Sequence, residues 1–278
     1  MCLYSVGVLA TKFVVMDAST NAAKNAVINT ANFGLTGLRA LVTGGGSGIG
    51  RAIADAMINA GATVVVCDVN DSTKPNYICD VAKTSDVEAM FAAIERDLGG
   101  LDILVNNVGV PGPTARVDEM DPDAYDECVR INLGGTFRCT HVAVPMLLKS
   151  KGSIINISTS AGIFGYPLRS PYVAAKWGII GLTKSWAMEL GEFGVRVNAI
   201  CPGSVSGPRM DGVIEREALA TGSTASEIRT GYEKQVSLQT FVDASDIAAS
   251  AVFLSSPAAR FITGQVLPVD GNIETMRA

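Results

Sequence analysis

Tyr172 and Lys176, in Ser170-Pro171-Tyr172-Val173-Ala174-Ala175-Lys176, stand four residues apart and share one face if the segment is helical. A phenol with an unperturbed pKa of about 10 handles protons near neutrality only when its phenolate is stabilised. An ammonium one turn away, a helix N-terminus and a positively charged ring bound nearby would all lower that pKa. Alone the pair is weak evidence, because this spacing commonly marks an amphipathic helix with a solvated lysine. A second run gives it context. Thr43-Gly44-Gly45-Gly46-Ser47-Gly48-Ile49-Gly50 follows a short apolar run and precedes Ile53, Ala56 and Met57 at helical spacing. A glycine-rich strand-to-helix turn lets a diphosphate approach the backbone, where the helix N-terminus presents unpaired N–H groups. The spacing is G-x-x-x-G-x-G, so the order strand, turn, helix, second strand carries the inference more than the glycines do.

Asp68 closes the next apolar run, Val64-Val65-Val66-Cys67, 18 residues beyond Gly50. An acid at about that distance grips the adenosine ribose hydroxyls of a dinucleotide. Its carboxylate would repel a ribose 2′-phosphate by on the order of a few kcal/mol. Ser47 stands where a basic residue could have met that phosphate, so the expected cofactor is NAD and not NADP.

The rest of the composition narrows the chemistry by exclusion. The chain has 278 residues, 22 Lys and Arg against 27 Asp and Glu, a formal charge of −5 and one histidine. No cluster of basic residues suggests a nucleic-acid partner. A single histidine disfavours histidine-based metal sites and triads, so no metal is expected and the acid/base group is sought elsewhere. His141 itself reads as structural. Cys2, Cys67, Cys79, Cys128, Cys139 and Cys201 form no C-x-x-C pair, and read as buried free thiols of a cytoplasmic protein. No run reaches the roughly 18 apolar residues of a membrane span. A hydrophobic share of 48% is ample for one large core.

The elements that must position these residues alternate in type. Short, apolar, β-branched runs at 40–43, 63–67, 77–79, 103–106, 153–158, 196–201 and 265–269 alternate with segments of helical period. That rhythm predicts a single-domain α/β fold, a doubly wound parallel sheet of about seven strands with helices on both faces. Ser85 with Glu88 predicts a capping box, Asp121-Pro122 opens a long helix towards Leu148, and Ser170-Pro171 repeats the device. Residues 207–237, rich in Gly, Ser, Thr and charge, read as a mobile substrate flap. Residues 1–36 are expected to be a peripheral extension before a catalytic domain at 37–278. Met16 is an alternative translational start.

With these pieces in order, the chain resembles the short-chain dehydrogenase/reductase family from about 38 to 272. The resemblance rests on 43–50, Asp80-Val81, Asn106-Asn107-Val108-Gly109, Asn132, Asn156-Ile157-Ser158-Thr159, Tyr172-x-x-x-Lys176, Pro202-Gly203 and 264–271. It implies an NAD-dependent oxidoreductase moving hydride between nicotinamide and a secondary alcohol or ketone, or a related lactol or aldehyde. Tyr172 would be the general acid/base. Lys176 would hold the nicotinamide ribose and lower the tyrosine pKa, and Asn132 would hold a relay water. Gly44, Ser47, Gly48, Ile49 and Gly50 would cradle the diphosphate, with Asp68 on the ribose. Asp80 and Val81 would meet the adenine, and Asn107 and Gly109 would lie along the cofactor. Pro202, Gly203 and Val205 would orient the carboxamide. The family also implies a homotetramer or dimer.

Two positions depart from the family pattern. The serine usually found 13 residues before the tyrosine is Thr159, which keeps the hydroxyl and adds a methyl group. Ser160 is the neighbour that could share its role, while strand alternation turns Ser158 away. A threonine that often binds the carboxamide is replaced by Gly207, leaving Ser206 or a backbone N–H to substitute. Residues 110–112, 162–167 and Met210 are expected to line an apolar pocket, and Arg169 or Arg209 could meet an anionic group if either points inward. Two other readings are a non-catalytic NAD sensor and an NAD-dependent epimerase or dehydratase. The first is disfavoured by the tyrosine, lysine and asparagine together, the second by chain length and glycine spacing.

Overall fold

The computed structural model of the protein describes residues 33–273. Seven strands form one parallel sheet in the order β3-β2-β1-β4-β5-β6-β7. They are β1 (Arg39–Thr43), β2 (Thr63–Asp68), β3 (Tyr77–Ile78), β4 (Ile103–Asn106), β5 (Ser153–Ile157), β6 (Arg196–Pro202) and β7 (Val266–Val269). The helices are α1 (Gly48–Asn59), α2 (Thr84–Leu98), α3 (Pro122–Val129), α4 (Gly135–Ser150), α5 (Ser170–Gly191), α6 (Pro208–Thr221), α7 (Ala225–Lys234) and α8 (Ala244–Ser255). The chain order reverses between β1 and β4, and ligands of such sheets bind at the carboxyl ends of the strands beside that reversal.

Both faces of the sheet are dry, which explains why the central strands read as unbroken apolar runs. Side chains alternate between two cores. Leu41, Leu104, Ile154 and Val197 pack with Phe91, Ile94 and Leu147 on one side. Ala40, Val42, Ile103, Val105 and Ile155 pack with Ile53, Met57, Ile247 and Leu254 on the other. Each such fully buried large side chain contributes about 1.5–3 kcal/mol. Leu35 is completely buried in the second core, so the folded unit begins before residue 37. The remainder of the expected extension, with Met16 and Cys2, lies outside the described residues.

Three local expectations change. The capping box at Ser85 and Glu88 is absent: α2 starts at Thr84 with Lys83 as its N-cap. The acids there are Asp86, which accepts from the Asp80 N–H, and Asp80, which accepts from the Ala82 N–H. Ser170 is the first helical residue of α5, and Arg169 is the cap. Asp121 does cap α3, accepting from the Asp123 N–H. The long helix it opens is interrupted by a π-helical segment, Arg130–Gly134, before α4. Residues 207–237 are mostly a helix pair, α6 and α7, with their own small cluster of Ile214, Tyr232 and Phe241. A full capping box at Thr224 and Glu227 starts α7. Among the described residues no helix is long and apolar enough to cross a membrane.

Candidate active site

The turn between β1 and α1 forms a hollow lined by backbone. Gly44 and Gly48 take positive φ angles of 61° and 53°, a region costly for other residues. At Gly50 a Cβ would come within 2.2 Å of the Gly44 carbonyl oxygen and 2.5 Å of Asn107 Nδ2, so the helix can approach the turn this closely only without one. Ser47 is the N-cap of α1, but its side chain makes no capping bond and the first turn carries no acid. The partial positive charge and free N–H groups of the helix end therefore face open space, which fits a diphosphate. Asp68 accepts from the Gly46 N–H at 3.2 Å and the Asn70 N–H at 3.1 Å, so its carboxylate sits at the rim of the turn. Asn107 closes the other side by donating to the Thr43 and Gly44 carbonyls at 3.0 and 3.1 Å. Asp80 is half-exposed nearby in sequence to the fully inward Val81, whose side chain packs on Gly135.

At the carboxyl ends of β4 and β5 the site changes character and is made of side chains. Asn106 Nδ2 donates to Asn156 Oδ1 at 2.9 Å and Thr140 Oγ1 at 3.0 Å, and Asn156 Nδ2 donates to Thr183 at 2.9 Å. This buried network joins β4, β5, α4 and α5 beneath the reacting groups. The π-helical segment carries Asn132, which is fully buried and donates to the Cys128 carbonyl at 2.8 Å and the Val110 carbonyl at 3.1 Å. Its Oδ1 has no partner. A Cβ at Gly109 would stand 2.8 Å from that oxygen and 3.3 Å from Lys176 Nζ, so Gly109, Asn132 and Lys176 border one small space. An unpartnered buried carbonyl there suits a water or a ribose hydroxyl.

Lys176 is buried, donates to the Ile157 carbonyl at 2.9 Å and lies 5.8 Å from the Tyr172 ring centre. Burial, with repulsion from Arg209, lowers its pKa to about 8. Thr159 donates to the Pro202 carbonyl at 3.3 Å, and its hydroxyl is near enough to Tyr172 to favour the phenolate. Ser160 is turned elsewhere, donating to Asp270 at 3.0 Å and to the Pro202 carbonyl at 3.2 Å. Ser158 points to the Lys176 carbonyl at 2.9 Å, the other side of the strand as alternation requires.

The expected lowering of the Tyr172 pKa is not what the protein alone produces. Burial raises it, outweighing the lowering by Arg209, Arg169 and the Thr159 hydrogen bond. Arg209 and Arg169 are the cations that offset the burial most. Arg169 packs its guanidinium 5.2 Å from the Tyr172 ring centre and 5.6 Å from that of Tyr166. The sequence named both arginines but could not orient them.

Past β6, Gly203 donates from its backbone to Val269, and a Cβ on it would collide with Asp270. Val205 bridges to Val242, and the Ser206 N–H is taken by the Val242 carbonyl, which removes that N–H as the substitute for the missing threonine and leaves the Ser206 side chain or a neighbouring N–H. Tyr166 and Tyr232 hydroxyls meet at 3.2 Å and tie α7 to the loop after β5, with Tyr232 donating onward to Glu217 at 2.7 Å. His141 lies exposed on α4, stacked on Phe137. Five cysteines, Cys67, Cys79, Cys128, Cys139 and Cys201, are free and buried, and no group of three or more metal-binding side chains occurs among the described residues.

Comparison with known proteins agrees with this arrangement. Residues 44–272 match the family described as Enoyl-(Acyl carrier protein) reductase. The chain is 37% identical to D-beta-hydroxybutyrate dehydrogenase of Cupriavidus necator, covering 85% of this chain and 98% of that protein. It is 34% identical to 2,5-dichloro-2,5-cyclohexadiene-1,4-diol dehydrogenase of Sphingobium indicum, over 85% of this chain and 97% of the relative. Among solved structures, NAD+-bound xylitol dehydrogenase superposes with a TM-score of 0.80 at 28% identity, covering 85% of this chain and 99% of the other.

Proposed function

The chain belongs to the short-chain dehydrogenase/reductase family, and from that premise we propose that it is an NAD-linked dehydrogenase of a secondary alcohol, run in reverse as a ketone reductase. As a nicotinamide-dependent oxidoreductase of CH–OH groups it shares the chemistry of its relatives. The observation that carries the finer reading is the meeting of Thr159, Tyr172 and Lys176 with the unpaired Asn132 oxygen beside the glycine turn. When bound, the nicotinamide supplies a two-electron hydride acceptor or donor.

Thr159 donates its hydroxyl hydrogen bond to the substrate oxygen and fixes it against Tyr172. Tyr172 takes the alcohol proton, and Lys176, with a water held by Asn132 Oδ1, passes it to solvent. A lysine with a pKa of about 8 suits that step, because it exchanges protons readily near neutral pH. Gly44, Ser47, Gly48, Ile49 and Gly50 hold the diphosphate. Asp68 takes the adenosine ribose hydroxyls and disfavours a 2′-phosphate, which is the argument for NAD over NADP. Asp80 and Val81 border the adenine, Asn107 and Gly109 the riboses, and Pro202, Gly203 and Val205 the carboxamide. Helices α6 and α7 act as the substrate flap. A cytoplasmic homotetramer or dimer, with a small alcohol or carbonyl compound as its partner, completes the reading. A panel of cyclic alcohols, sugars, hydroxy acids and sulfonated aromatics, scored by NADH absorbance with NAD+ and NADP+, tests it. Turnover with NAD+ on at least one class is expected. A preference for NADP+ overturns the cofactor choice, and no turnover on any class overturns the dehydrogenase.

A further inference from the structure

Three cations surround Tyr172, in a protein whose net charge is −5. Lys176 has its place in the proton path, but Arg169 and Arg209 have none. Neither forms an ion pair among the described residues. Arg169 donates from Nη2 to the Pro111 carbonyl at 2.6 Å, and its Nε is buried without a partner. The rings of Tyr166 and Tyr172 hold the guanidinium plane in place. Arg209, in the first turn of α6, has only a long bond of 3.4 Å to the Gly109 carbonyl. Of the three acids on its own helix, Asp211 is engaged by Arg229 and Glu217 by Tyr232, and Glu215, six residues on, forms no ion pair with it.

A guanidinium that is oriented by aromatic faces and keeps a buried donor free is built to receive a planar or tetrahedral oxyanion. Resting on the dehydrogenase reading above, we infer that the substrate is an alcohol carrying a carboxylate or sulfonate a short chain away from the carbinol carbon, and that Arg169 and Arg209 bind that anion. In the reaction the carbinol C–H bond breaks with its electron pair passing to the nicotinamide. The hydroxyl proton leaves through Tyr172 to solvent, and the anionic group is unchanged. Because Arg169 touches the Tyr172 ring, the anion and the reacting oxygen lie within one small molecule's reach of each other.

The test compares kcat/KM for a short hydroxycarboxylate, the matching hydroxysulfonate and their neutral methyl ester, in the wild type, Arg169→Met, Arg169→Lys and Arg209→Met. The wild type should prefer one of the two anions over the ester by about 100-fold or more, and the two anions distinguish carboxylate from sulfonate. Arg169→Met should collapse that ratio at least tenfold, chiefly through KM. Arg169→Lys should restore part of it, having the charge without the fork. Wild-type turnover of the ester as fast as of both anions overturns this inference while leaving the dehydrogenase standing. An equal loss on all three compounds in Arg169→Met also overturns it, since Arg169 would then act only through Tyr172. Weaker NADH binding in Arg209→Met, read by fluorescence titration with the anion preference intact, overturns the paired clamp. No turnover of any alcohol, charged or neutral, is instead a failure of the dehydrogenase reading.

Discussion

The hollow at the glycine turn and the wall around Tyr172 lie on the same edge of the sheet but are built from different materials. The hollow consists of backbone N–H and carbonyl groups, a helix end without an acid, and one carboxylate held by two N–H groups. The wall consists of side chains drawn from β5, the π-helical segment, α5 and α6, with three cations and a half-buried phenol. Backbone sites are fixed once the turn folds and cost little to maintain. Of the three cations Lys176 is buried while Arg169 and Arg209 keep contact with solvent, and the water that Lys176 has given up is destabilising until ligands fill the site. Binding of the cofactor and conduct of the reaction should therefore be separable by mutation, and removal of a buried charge from the wall should raise stability, whereas a side chain added at Gly50 in the hollow should lower it.

The largest effect is expected at Lys176, which borders both regions. Lys176→Met should lower kcat by about 10²–10⁴-fold, the range lost with a proton-handling group, and steady-state turnover on the best alcohol of the panel measures it. Next comes Thr159→Val, which keeps the shape and removes the donor. A fall in kcat of about 10²-fold is expected, with NADH affinity unchanged in a fluorescence titration. Retention of near-full kcat/KM would move the role off Thr159. In the other region, Asp68→Ser should raise KM for NAD+ by about tenfold and improve the use of NADP+, with kcat nearly constant. Initial rates with both cofactors check this, and a kcat loss matching that of Thr159→Val would erase the contrast.

The smallest effect is on stability. Lys176 has a folded-state pKa lowered to about 8 from 10.5, so at pH below 8 it is charged in both states and folding carries the desolvation cost. Between those values the unfolded chain holds a proton that the folded chain has lost, and stability rises with pH. Lys176→Met should therefore be more stable than the wild type by about 1–3 kcal/mol at pH 7. The gain should shrink as pH climbs from 8 towards 10.5, which urea unfolding at a series of pH values would follow.

How much was legible in the sequence follows the same division. The central strands were readable because β1, β4, β5 and β6 are apolar runs buried along nearly their whole length, the partly exposed β3 and β7 followed from the alternation with helices, and the glycine turn announces itself by composition. Asn132 could be named but not its setting. A π-helical turn is fixed by what the side chain meets, here the Cys128 and Val110 carbonyls, and no periodicity encodes that. Ser85 and Ser170 have N-cap chemistry, yet bonding around Asp80 and the Arg169 backbone set those helix starts one residue away or more. The helices at 207–237 lie under a polar composition, although Thr224 and Glu227 spell a capping box. The raised Tyr172 pKa reflects burial, which outweighs the lowering by Arg209, from a distant segment, and by Arg169, three residues before it, and local sequence encodes neither the burial nor the direction of the guanidinium groups.

One protein, Tyr172→Phe, joins both halves of the account in a single experiment, because it removes one oxygen from the wall and touches nothing in the hollow. Turnover of the best alcohol and NADH affinity are measured on the same preparation. A loss of turnover of about 10²–10⁴-fold is expected, with NADH binding within a factor of about three of the wild type. Turnover within tenfold of the wild type would contradict it, and remove Tyr172 from the reaction.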